Sequence, residues 1–172
     1  MLCLRVAYLG HGLTYTSFHF SNVSVSGALP DTATKSDTVD VTVSVTNAGR
    51  VMGKVVVQVY CGYADSSKLR LLRYARMLCG FSKVALDPGQ SRTVHVPVAL
   101  HSLLRWDPNG LSTDMTGERV RGAYVIDAGK WVVHVGDCSA AGSAIGLPDP
   151  TPCTQRNSSF IVPNTIVFNG KY

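Results

Sequence analysis

The sequence predicts an all-β protein, an antiparallel sandwich of about seven short strands, on three observations. Apolar residues recur at every second position in several runs, which is the period of a half-buried strand. Turn residues separate those runs at regular spacing, and no long amphipathic helical repeat interrupts them. The bulk composition agrees: 172 residues with 45% hydrophobic and 16% charged content suit one globular domain with extensions and argue against disorder.

The elements follow in chain order. Phe18 to Ser26 alternates Phe18, Phe20, then Val23 and Val25, a strand with a slip near Asn22. Residues 27–36 form a polar connection containing Pro30. Val41, Val43 and Val45 then alternate with Thr42, Ser44 and Thr46, giving one apolar face and one hydroxyl face. Asn47-Ala48-Gly49-Arg50 supplies residues that tolerate positive φ, Gly53 adds a second flexible point, and a β-branched run continues from Val55 to Tyr60. A basic loop spans Ala64 to Arg76, and Met77 to Leu86 is a further extended segment. It stops at Asp87-Pro88-Gly89-Gln90, with Pro and Gly where a type II turn wants them.

Thr93 to Leu100 alternates again through Val94, Val96 and Val98, and His101 to Trp106 reads as a short helical turn. Asp107 to Gly122 is a long polar loop. Ala123–Ile126 and Lys130–Val135 are two apolar strands, and Asp127-Ala128-Gly129 between them signals a tight hairpin. From Ser139 the composition shifts to Ala, Gly, Pro and Ser. We read 139–172 as a tail, with one extra edge strand at 159–168.

Charge and cysteine content limit the function classes. The net charge is +5, from ten Arg and six Lys against ten Asp and one Glu. The densest cluster is Lys68, Arg70, Arg73 and Arg76. No nucleic-acid module motif accompanies it, so a solvated loop is expected and nucleic acid is not an expected partner. No apolar run approaches the roughly 20 residues of a bilayer span. Arg5 interrupts the apolar start and no small-residue cleavage site follows, so no signal peptide is read there. Five cysteines do not define a disulfide framework. Cys61 and Cys79 read as small buried hydrophobes, whereas Cys138 and Cys153 could close a loop of about 15 residues, contributing ~3 kcal/mol. Asn22-Val23-Ser24 and Asn157-Ser158-Ser159 are acceptor patterns that fit a secretory route and leave the compartment open.

Candidate chemistry is thin. A glycosidase needs two carboxyl groups about 5–10 Å apart. Glu118 is the single glutamate, and Asp107, Asp114 and Asp127 each sit beside Pro, Gly or a turn, where Asp serves the backbone. His11, His19, His95, His101 and His134 lack metal-ligand spacing, and His95 and His134 face away from the valines. No nucleophile pairs with a positioned His, and no Gly-rich loop leads from a strand into a helix. Trp106, Trp131, Tyr8, Tyr15, Tyr60 and Tyr124 offer a sugar-stacking platform, although Trp131 alternates in phase with Val133 and Val135 and is expected in the core.

Four segments carry a resemblance. Gly10-His11-Gly12-Leu13-Thr14-Tyr15-Thr16-Ser17-Phe18, Val45–Gly49 followed by Gly53–Tyr60, Leu78–Ser91 and Gly129–Gly136 resemble, in order, motifs of the C-terminal fibronectin type III-like domain of family 3 glycoside hydrolases. The resemblance covers residues 8 to about 138. It implies an immunoglobulin/fibronectin type III-like sandwich over 18–138, with 1–17 as a linker leading in from an upstream domain. It also implies a parent β-glucosidase or β-xylosidase acting in carbohydrate metabolism, in a secreted, extracellular or vacuole-like setting. The family's catalytic acids lie in its upstream domains, and no position here matches their motifs. No catalytic residue, cofactor or metal is therefore expected in this chain. Leu9, the lead-in from Met1 to Val6, the long 107–122 loop and the tail after 138 depart from the family pattern, and a truncated product or separately expressed domain would explain the start.

Three readings stand at this level. The chain is a non-catalytic module whose partners are the catalytic domains of a glycoside hydrolase, a stand-alone carbohydrate or cell-surface binding module, or a polyanion-binding protein using the Lys68–Arg76 cluster.

Overall fold

The computed structural model describes residues 14–26, 37–65, 76–110, 116–119, 121–139 and 155–169. Ten strands run through them: β1 (Phe18–Ser26), β2 (Thr38–Asn47), β3 (Gly53–Tyr63), β4 (Met77–Leu86), β5 (Ser91–Ala99), β6 (Arg105–Asp107), β7 (Ala123–Ile126), β8 (Gly129–Gly136), β9 (Gln155–Val162) and β10 (Ile166–Asn169). Strand order is β1-β2-β5 in one sheet, β4-β3-β8-β9 in a second and β10-β7-β6 in a small third. Every pair is antiparallel. This is the expected all-β sandwich.

Side-chain alternation builds the core. Val39, Val41 and Val43 of β2 stand opposite Val98, Val96 and Val94 of β5, and all six are buried. Their alternates face out as a hydroxyl surface, where Thr46 Oγ1 and Ser91 Oγ lie 2.7 Å apart. From the second sheet come Val57, Val59, Val133, Val135 and Trp131, each fully buried. Trp131 stacks on Phe160 of β9 with centroids 6.4 Å apart and meets Tyr63 edge-on at 5.6 Å. Strand β3 lies between β4 and β8, so residues 57–62 are buried on both faces.

The slip near Asn22 is a β-bulge. Pairing shifts between Ser21 and Ser24, and Asn22 takes φ 51°. Asp87–Gln90 forms the expected turn: Gly89 has φ 73°, and the Gln90 N–H donates to Asp87 O at 3.0 Å. The helical turn is a 3-10 piece at Leu100–Leu103; Arg105 and Trp106 belong to β6 instead.

Three expectations change. First, Gly49 and Gly53 are not needed for positive φ. A Cβ on Gly49 would sit 2.0 Å from Thr16 Oγ1, and one on Gly53 would sit 2.5 Å from Thr16 Cγ2. Both make room for the chain leading into β1. Second, Asp127–Gly129 is not a hairpin turn, because β7 pairs with β6 and β10 while β8 pairs with β3 and β9. The link carries the chain between sheets, and Gly129 at φ 131° leaves space for Tyr63, whose hydroxyl donates to Ala128 O at 2.6 Å. Third, the single edge strand expected at 159–168 is two strands, β9 and β10, separated at 163–165. Pro163 lies in that gap and has no N–H to extend a ladder. Phe160, Val162 and Ile166 are buried, so the packed unit runs past residue 138.

Candidate functional site

The acids come first, because hydrolysis needs two of them. Asp107 ends β6, fully buried, and its Oδ1 accepts the Asn109 N–H at 3.3 Å. That is the local turn bond expected of an Asp before Pro. Asp127 holds Arg105 in a fork: Nε donates to Oδ2 at 3.0 Å and Nη2 to Oδ1 at 2.9 Å. Both side chains are largely shielded from water, and the Asp127 carbonyl accepts the Trp131 indole N–H at 3.1 Å. Planar bidentate geometry of this kind locks orientation. Asp107 and Asp127 thus serve the fold, Glu118 is exposed on the following loop, and Asp114 lies outside the described residues.

The histidines disperse. His95, exposed on β5, has Nδ1 at 2.8 Å from Asp40 Oδ2. His134 Nδ1 lies 2.8 Å from Asn157 Oδ1 across β8 and β9. Burial pushes the His134 imidazole below its ordinary range, the Asn157 bond opposes this, and the Arg76 charge adds to it. His19 and His101 are exposed and separate, and His11 lies outside the described residues. Among the described residues no three His, Cys, Asp or Glu side chains converge on a metal-sized site.

Cys61 and Cys79 are buried free thiols on β3 and β4. The Cys79 thiol donates to Met77 O at 3.3 Å, and the neighbouring Cys79 together with burial pushes the Cys61 thiol up. Cys138 is disulfide-bonded, and Cys153 lies outside the described residues. Most of the basic cluster, including Lys68, Arg70 and Arg73, lies outside them too. Arg76, its described member, donates from Nη1 to Gln155 Oε1 at 2.9 Å and is absorbed by the fold.

Aromatic residues separate into core and surface. Trp131 and Tyr60 are buried, and the Tyr60 hydroxyl donates to Gln58 Oε1, whose Nε2 donates to Asp137 O at 3.1 Å. Trp106 is 47% exposed and leans on Tyr124, with ring centroids 4.9 Å apart. The third sheet sets this pair: Trp106 on β6 stands opposite Tyr124 on β7, which stands opposite Phe168 on β10. Gly122 packs against the Trp106 ring. Sequence reading found Trp106 and Tyr124 and missed Phe168, which lay hidden in the presumed tail.

Two further apolar areas are open. Phe81, 69% exposed, and Leu78 project from β4, the edge of the four-stranded sheet. At the end of the sandwich where the chain approaches β1, Tyr15 is fully exposed and Val51 and Met52 stand out from the β2–β3 turn. Asn47, fully buried, fixes that turn. Its Nδ2 donates to Val51 O at 2.8 Å and Leu86 O at 3.0 Å, while its Oδ1 accepts from the Gly49 N–H at 3.0 Å and from the Thr16 hydroxyl. The lead-in chain is therefore clamped to the sandwich, and Tyr15, Val51 and Met52 share one end of it. No described helix is long and apolar enough to cross a membrane.

Known proteins place these features. Residues 55–139 match the family model of the fibronectin type III-like domain. A β-glucosidase of Ruminococcus albus is 34% identical over 128 residues, which are 74% of this chain and 12% of that protein. A β-glucosidase of Kluyveromyces marxianus is 31% identical over 137 residues, 78% of this chain and 14% of that protein. The structure of β-glucosidase 3B from Thermotoga neapolitana in complex with α-D-glucose superposes with a TM-score of 0.67 at 26% identity, covering 95% of this chain and 18% of that one. The chain thus spans about a seventh or less of the curated relatives named here. With sandwich, motif order and relatives in agreement, the chain carries the fibronectin type III-like domain of family 3 glycoside hydrolases.

Proposed function

We propose that the chain is a non-catalytic accessory module of a β-glucosidase- or β-xylosidase-type hydrolase, packing on the catalytic domains and stabilising them. The observation that carries this reading is the apolar end formed by Tyr15, Val51 and Met52. It sits where the chain leads into β1, on a turn clamped by Asn47 and Thr16. Grouped apolar side chains on a rigid surface mark a contact site, and in a parent hydrolase the domain that leads into such a module would cover this one. The engagement of Asp107 and Asp127 in a turn and an ion pair supports a module without its own acid pair.

The test has two arms. The purified chain is assayed on aryl β-glucosides and β-xylosides, with no turnover expected. Turnover that disappears in Glu118→Gln or Asp127→Asn would overturn the non-catalytic reading. The chain is also mixed with the catalytic domains of a relative stripped of its own module, and a rise in their melting temperature is expected. An unchanged melting temperature speaks against packing.

A second reading rests on Trp106 and Tyr124. A half-exposed indole braced by a neighbouring ring is the kind of surface on which sugar rings stack. Retention of the chain on insoluble β-glucan or xylan, abolished in Trp106→Ala, would favour carbohydrate binding. Equal passage of both proteins through the column would eliminate it.

A further inference from the structure

Both acceptor patterns of the sequence emerge on one edge of the sandwich. Asn22 lies in β1, the edge strand of the three-stranded sheet, and Asn157 lies in β9, the edge strand of the four-stranded sheet. These two strands lie against each other. Asn22, Ser24, Asn157 and Ser159 are all exposed, although their neighbours Phe20 and Phe160 are buried.

The local geometry leaves each amide nitrogen usable. Asn22 occupies the bulge, where the ladder is interrupted between Ser21 and Ser24. A residue at φ 51° stands outside regular strand pairing, and Asn accepts that conformation at low cost. In Asn157 it is the amide oxygen that meets His134 Nδ1, at 2.8 Å. The nitrogen, which is the atom a glycan would use, is not part of that contact. The disulfide bond at Cys138 is a third, separate observation, since such bonds form in oxidising compartments.

We propose that Asn22 and Asn157 are N-glycosylation sites, modified in the lumen of a secretory pathway. The donor class is a lipid-linked oligosaccharide diphosphate with N-acetylglucosamine at its reducing end. The bond from sugar C1 to the diphosphate oxygen breaks, the bond from C1 to the Asn Nδ2 forms, the lipid diphosphate departs, and the amide gives up one proton. Two glycans on the β1/β9 side would shield two open strand edges from pairing with other chains. They would also turn that side towards solvent.

The experiment is secretion of the full chain, behind a cleavable signal, from a eukaryotic host, followed by peptide mapping before and after peptide-N-glycosidase F. The expected result is a glycan on each of Asn22 and Asn157, released by the enzyme with conversion of each Asn to Asp. Ser24→Ala should remove the first glycan and Ser159→Ala the second, while Ser24→Thr and Ser159→Thr retain them. The Thr variants separate acceptor chemistry from any structural need for the Ser. Peptide mapping of the unaltered chain reads both sites directly should an Ala variant fail to be secreted. An unmodified Asn22 or Asn157 in the secreted chain overturns the assignment at that site.

Discussion

Asn47 shows how much one side chain can hold. Before a Gly it reads as a turn residue, yet its position is fully buried and its amide ties together Val51 O, Leu86 O, the Gly49 N–H and the Thr16 hydroxyl. Asn47→Ala leaves these groups without that partner inside the protein and is expected to cost about 2–3 kcal/mol, read as a lower urea midpoint. Asn47→Asp keeps the acceptor but loses both donated bonds, so it should be destabilised as well. His134 supplies a pH dependence. Its folded-state value is held below 6.5, chiefly by burial, so as the pH falls the unfolded chain takes up the proton first. The His134 contribution is neutral well above 6.5 and turns against the folded state as the pH drops through 6.5. Urea midpoints at about pH 7.5 and about pH 5 should therefore converge partly in His134→Gln.

Among the elements, β9 matters most. It completes the four-stranded sheet beside β8, and its Phe160 stacks on the buried Trp131. A chain ended at Ser139 leaves the β8 edge open and uncovers that indole. Loss of one large buried aromatic alone costs about 3–5 kcal/mol. The shortened chain is therefore expected to lose at least that much stability, measured by thermal or urea unfolding followed by circular dichroism. A cooperative transition at the same midpoint would show that β9 is dispensable. The alternating strands were readable because each has one wet face. Strand β9 was readable only in its second half, from residue 159: its sequence, Gln-Arg-Asn-Ser-Ser-Phe-Ile-Val, follows a Pro- and Gly-rich stretch and is mostly polar at its start. An edge strand can be so, because backbone pairing to β8 holds it.

On the scale of the whole molecule, the proposed packing on catalytic domains is tested at the open apolar areas. The end bearing Tyr15, Val51 and Met52 is rigid because Asn47 and Thr16 join the lead-in chain to the turn. Met52→Ser, at a side chain 57% exposed, should change the stability of the isolated chain by less than about 0.5 kcal/mol. The same substitution should lower the gain in melting temperature that the chain gives to a relative's catalytic domains. A full gain with Met52→Ser would move the contact elsewhere, with the Leu78–Phe81 edge of β4 as the next surface.

The sequence by itself determined the sandwich, because alternation of period two dictates which side chains a strand can bury. It also determined the family, through motifs whose order no single strand could supply. Of the acids, it placed Asp107 beside Pro in a turn, where its Oδ1 accepts the Asn109 N–H, but could not foresee that Asp127 pairs with Arg105. Tertiary structure decided what local patterning cannot encode. It assigned Gly49 and Gly53 to close packing against Thr16, made Asp127–Gly129 a passage between sheets, and set Phe168 beside Tyr124. Each of these depends on which distant strand becomes a neighbour, and hydrophobic periodicity specifies the buried face of a strand but not its partner.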